Sequence, residues 1–139
     1  MSTRCKIVMI EKGKLYRVQI YKHCDGYPSG VLPILLPFLD RFSKERGNDS
    51  EYCLAQIVRE FAVKEPPKDM LGWGLDTAFH GDEEFVYVVE WKYPSYKVRV
   101  LCPRWASDAK TPLTLKGARE EFPSTGEQTV LYFHPAQSA

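Results

Sequence analysis

A chain of 139 residues, 44% hydrophobic and 27% charged, has the composition of a globular domain rather than a disordered one, and its length suits one hydrophobic core. Nineteen basic against eighteen acidic residues leave a net charge of +1, so the strong global field of a nucleic-acid or anionic-membrane binder is excluded. No apolar run is long enough to span a bilayer, and Met1-Ser-Thr-Arg-Cys-Lys6 leads into a strand-like run without a signal-peptide core, so the expected location is cytoplasmic.

Lys6–Ile10 and Leu15–Tyr21 are β-rich runs flanking Glu11-Lys-Gly-Lys14, where Gly13 can take the positive φ of a tight turn. They are expected to pair antiparallel. Tyr16, Val18 and Ile20 alternate with Leu15, Arg17, Gln19, Tyr21 and His23, which puts the first set on the core face and the second, mostly polar, on the outer face.

Leu32, Leu35, Leu36, Leu39 and Phe42 recur at helical spacing and predict an amphipathic helix that stops at Gly47. Pro33 fits a first turn, whereas Pro37 removes a hydrogen bond, so the helix is expected to kink early or start late. Asn48-Asp49-Ser50 offers capping oxygens to a second helix carrying Leu54, Ile57, Val58 and Phe61, closed by Pro66 and Pro67. Residues 69–80, which include Trp73 between Gly72 and Gly74, read as a loop running into a strand.

Glu84–Trp91 and Tyr96–Cys102 form the clearest hairpin, joined at Lys92-Tyr-Pro-Ser95. The first of these strands is apolar on both faces, which predicts a central place in a sheet. Thr129–Phe133 can add an edge strand, and residues 135–139 form an end expected to be mobile. Cys5, Cys24, Cys53 and Cys102 are widely spaced without a Cys-x-x-Cys pair, so buried free thiols are expected. The fold expected is α+β: a mostly antiparallel sheet of four to six strands with two helices packed on one face. Residues 1–110 would form a single domain, with 111–139 a C-terminal extension.

Between the first strands and the first helix lies Tyr21-Lys-His-Cys-Asp-Gly-Tyr-Pro-Ser-Gly30, where the distinctive polar chemistry gathers. Asp25 offers an acceptor, His23 a proton-tunable donor, and Tyr27 a stacking face, with Trp73 a second such ring in a glycine-rich segment. Arg17, Gln19 and Tyr21 could extend this surface. His23-Cys-Asp25 and His80-Gly-Asp82 are two His-x-Asp pairs, and in an extended backbone residues i and i+2 project to the same side. Were they to meet, His23, Asp25, His80 and Asp82 would suit a divalent metal ion. The plainer reading has Asp25 bonding backbone amides of its own turn and Asp82 in the solvated acidic run 82–84.

Neither a Gly-x-Ser-x-Gly elbow nor the Gly-Lys-Ser/Thr ending of a phosphate loop is present, although the helix start after Gly30 could still attract an anion. Cys24, in an extended segment, would point away from His23 and Asp25.

The motif His23-x-Asp25-Gly-Tyr-Pro-x-Gly30, preceded by a β-hairpin and followed by an apolar helix, resembles a family of small proteins of prokaryotes and their viruses without an established activity. The likeness covers the first forty or so residues and extends faintly to Gly72-Trp-Gly74 and the later hairpin. It implies a shared fold and a specific loop, and in a viral setting a binder of a host factor or a signalling nucleotide. Val31-Leu-Pro33 departs from the continuation usual in that family. The function expected is a non-catalytic binding module that uses loop 21–30 as a recognition edge for a nucleotide or protein partner, with no cofactor. The alternative is a metal-dependent hydrolase or nuclease built on the paired His-x-Asp motifs, with metal-bound water as nucleophile. A third possibility is that the loop only clasps the hairpin to the helix.

Overall fold

The computed structural model describes residues 3–64, 72–78, 83–92, 94–101 and 129–134. In chain order the elements are β1 (Cys5–Glu11), β2 (Lys14–Leu15), β3 (Gln19–Lys22), α1 (Pro28–Glu45), α2 (Ser50–Ala62), β4 (Trp73–Asp76), β5 (Phe85–Lys92), β6 (Ser95–Leu101) and β7 (Thr129–His134). The sheet runs β4-β3-β1-β5-β6-β7, with the short β2 paired to β1. It is antiparallel except for one parallel pair, β1 with β5, so the α+β architecture read from the sequence is the one observed.

Lys12 and Gly13 take φ of 55° and 78°, the left-handed pair of a two-residue hairpin turn that matches strand twist. The run expected as one strand, Leu15–Tyr21, is broken into β2 and β3, because the Tyr16 N–H bonds back to the Met9 carbonyl and the chain then swings over to pair lower on β1. Parallel neighbours need a long crossover, and here the crossover from β1 to β5 carries β2, β3, both helices and β4.

Alternation decides what each face buries. Cys5, Ile7, Met9, Ile20, Tyr87, Val89, Trp91, Tyr96, Val98 and Val100 meet Val31, Leu35, Leu39, Ile57 and Phe61 of the helices in one core. Val8, Ile10, Val86 and Val88 on the opposite face are also fully buried, as expected for central strands.

The first helix starts earlier than its apolar spacing implied. Pro28 occupies its first turn, where a missing N–H does no harm, and Pro33 and Pro37 lie inside a continuous helix. Gly47, at φ 80°, follows its end, and the Asp49 side chain caps α2 by accepting from the Tyr52 N–H. Polar bonds tie the helices to the sheet: in the buried one Trp91 Nε1 donates to Ser50 Oγ at 3.1 Å, and in a part-buried one the Tyr96 hydroxyl donates to Asp40 Oδ1 at 2.7 Å. Burial, then that bond, pushes the Tyr96 phenol well above its ordinary pKa.

No helix among the described residues is long and apolar enough to cross a membrane. Cys5 and Cys53 are buried free thiols, whereas Cys24 is free but exposed, because it sits in the bend beyond the end of β3. Cys102 lies outside the described residues.

Candidate functional site

Strand β3 ends at Lys22, and the chain turns sharply before α1 begins at Pro28. The turn is held by its backbone. The Gly26 N–H donates to the Thr3 carbonyl at 2.8 Å, and the Gly26 carbonyl accepts from the buried Tyr87 hydroxyl at 2.6 Å. A Cβ at residue 26 would lie 2.8 Å from both the Cys5 Cβ and the Thr3 oxygen, so only glycine fits against the start of β1. Lys22, 4% exposed, donates from Nζ to the Cys24 carbonyl and lies over the Phe61 and Trp73 rings at 5.9 and 5.1 Å from their centroids. Aromatic faces and a carbonyl thus stand in for the hydration that the buried ammonium gives up.

On this brace the side chains divide. Asp25 has φ 55° and is exposed, and its Oδ1 accepts from the Tyr27 hydroxyl at 3.2 Å. The Tyr27 ring is 40% exposed, and its phenol is raised above the ordinary value first by that bond and then by the carboxylate charge. Half-buried His23 hydrogen-bonds through Nδ1 with the Tyr21 hydroxyl at 2.8 Å. The left-handed turn at Asp25 means that residues 23–25 are not extended, and the shared side expected of a His-x-Asp pair does not follow. The turn-capping role expected for Asp25 is likewise replaced by the phenol contact.

Trp73 lies elsewhere. The β3–β4 register pairs it with Lys22, and its ring packs at 5.0 Å from that of Phe61, on the helix face of the sheet. Tyr21 and His23 belong to the other face, where Lys6 Nζ lies 5.7 Å from the Tyr21 ring centroid. The backbones meet, with the His23 N–H donating to the Gly72 carbonyl at 2.8 Å, while the Trp73 ring packs beside Phe61 and under Lys22 Nζ. His80 and Asp82, the other half of the proposed metal set, lie outside the described residues. Among the described residues no group of three or more His, Cys, Asp or Glu side chains could hold a metal ion.

Gln19 departs from the polar outer surface expected of its face, as it is fully buried and neither amide atom has a hydrogen-bond partner among the described residues. Arg17 is exposed, in the break between β2 and β3. Beside Gln19 on the same face, fully buried Lys6 donates from Nζ to the Ala78 carbonyl at 2.9 Å and lies 3.6 Å from Asp76 and 4.0 Å from Glu83. A lysine inside the apolar run Cys-Lys-Ile-Val-Met-Ile was the one signal of this polar cluster in the sequence.

The outer strip of α1 continues the exposed surface past Tyr27. Pro28, Ser29, Leu32, Pro33, Leu36 and Pro37 line a shallow groove of about 500 Å³. Proline has no N–H, so the carbonyls of Ser29 and Pro33 lack the donors that residues 33 and 37 of an ordinary helix would supply. The same chemistry weakens the helix start as an anion site. Pro28 offers no N–H, and the Gly30 and Val31 N–H groups both donate to the Tyr27 carbonyl.

The chain matches no protein-family model, and no significant match is found to a curated protein or a solved structure.

Proposed function

We propose that the protein is a non-catalytic binding module. Its recognition edge is the bend at residues 23–27 together with the outer strip of α1, and its partner is a protein segment carrying a basic side chain beside apolar ones. The observation that carries this reading is the combination at one place of exposed Asp25 and Tyr27 with a backbone pinned from behind by Tyr87 and Thr3. A surface already held in one shape loses little conformational freedom on binding, which favours affinity.

The chemistry of the edge selects the partner. Asp25 has no ion pair among the described residues, so its exposed carboxylate suits a cation, and Tyr27 supplies a ring of the kind enriched in binding hot spots. The groove on α1 offers apolar side chains and two carbonyl acceptors without their helical donors. A nucleotide phosphate would instead meet the Asp25 charge and a helix start with most of its amides occupied. The free thiols at Cys5, Cys24 and Cys53 suit a reducing compartment and support a cytoplasmic location.

Panning a random-peptide display library on the immobilised chain tests the reading. The enriched peptides should carry Arg or Lys next to apolar residues and should lose binding to Asp25→Asn and to Tyr27→Ala. Enriched peptides without a basic residue, or ones that bind both variants as well as the parent, would overturn it.

A further inference from the structure

Independently of that edge, a cleft opens between α2 and the β3–β4 end of the sheet. Val18, Leu54, Val58, Trp73 and the 66%-exposed Leu75 wall a space of about 620 Å³. This is the size of a small-molecule site, and a site of that kind is typically apolar with a few polar groups that fix orientation. Two side chains here can do so: the Tyr16 phenol and the Glu51 carboxylate. Neither side chain has a hydrogen-bond partner or an ion pair among the described residues.

The position of Glu51 sets the sign of the ligand. It stands in the first turn of α2, whereas the buried cation Lys22 lies over Phe61, ten residues further along the helix and about 15 Å away at the ordinary helical rise. The end of the cleft near Glu51 is therefore negative and the far end is not. We propose that this cleft binds a small apolar molecule with one terminal ammonium group, an arylalkylamine or alkylamine. Its body would lie against Leu54, Val58, Trp73 and Leu75, and its charge would lie at Glu51 with the Tyr16 hydroxyl as a second partner.

Titration calorimetry of the full chain with phenethylamine, and with phenethyl alcohol as its uncharged counterpart, tests the assignment. The amine should bind saturably and roughly fivefold more tightly than the alcohol, the scale of one partly exposed ion pair. Glu51→Gln should abolish that preference while leaving the alcohol unaffected. Val58→Trp should fill the cleft and remove binding of both, and Leu75→Asn, at an exposed position that folding tolerates, should weaken both. Absence of saturable amine binding to the parent overturns the proposal. So does equal affinity for amine and alcohol, or a preference that survives in Glu51→Gln.

Discussion

The hydroxyl of Tyr87, on the central strand β5, donates a 2.6 Å hydrogen bond to the carbonyl of Gly26, 61 residues earlier in the chain. This bond joins the buried sheet to the bend that carries the exposed Asp25 and Tyr27. It converts what would otherwise be a surface loop into a fixed platform. Tyr87→Phe leaves the Gly26 carbonyl buried without its donor, and the expected loss is about 1–3 kcal/mol of stability. Urea denaturation measures that loss, and amide hydrogen exchange at Gly26 should accelerate in the same variant.

Gly26→Ala should be as damaging for a steric reason. The added methyl would lie 2.8 Å from two atoms of the β1 segment, one of them backbone, which cannot swing aside as a flexible side chain would. Overpacking of this kind destabilises by roughly 1–3 kcal/mol. Thermal melting checks it, with Gly74→Ala as the control, since a Cβ at residue 74 would meet nothing within 4 Å.

The buried Gln19 amide makes an opposite prediction. Both of its polar atoms are out of water and, among the described residues, unpartnered, so replacing it by Leu removes a desolvation penalty at similar volume. Gln19→Leu should raise stability by about 1 kcal/mol in denaturant titration. A loss of that size would mean that the amide serves a bound group.

Alkaline pH should unfold the protein through its buried neutral acids. Burial, opposed by Lys22 and aided by Glu83, pushes the Cys5 thiol from 9.0 up to about 12, and burial raises Cys53 as well. The folded state favours the protonated thiol, so its contribution is whole below pH 9 and is lost as pH rises from 9 towards 12. The slope is roughly 1 kcal/mol per pH unit for each group. Melting temperatures across that window should fall, and Cys5→Ala should make the fall shallower.

What the sequence disclosed follows from which signals are local. The β5–β6 hairpin and α2 were legible because alternation and the i, i+3, i+4 pattern report burial directly, and because Asp49 sits at the cap position. The parallel pairing of β1 with β5 was not legible, since alternation says which face a residue occupies but not which strand lies beside it. Gln19 was misplaced for a related reason: its polar neighbours Arg17 and Tyr21 imply an open face, while the sheet there is buried on both sides. Of the candidate site, the bend was visible from its Asp-Gly-Tyr-Pro composition. Its left-handed turn at Asp25, the Tyr87 and Lys22 braces, and the packing of Trp73 on Phe61 are not written in local composition.

The most direct measurement of the central claim is the affinity of a basic, apolar peptide selected on the parent chain, compared between the parent and Tyr27→Ala, with the melting temperature of each recorded alongside. An exposed hot-spot ring on a platform braced from behind predicts at least about a thirtyfold loss of affinity with stability nearly unchanged. Unaltered affinity in Tyr27→Ala, or a loss of binding that merely follows a collapse in melting temperature, would contradict the account.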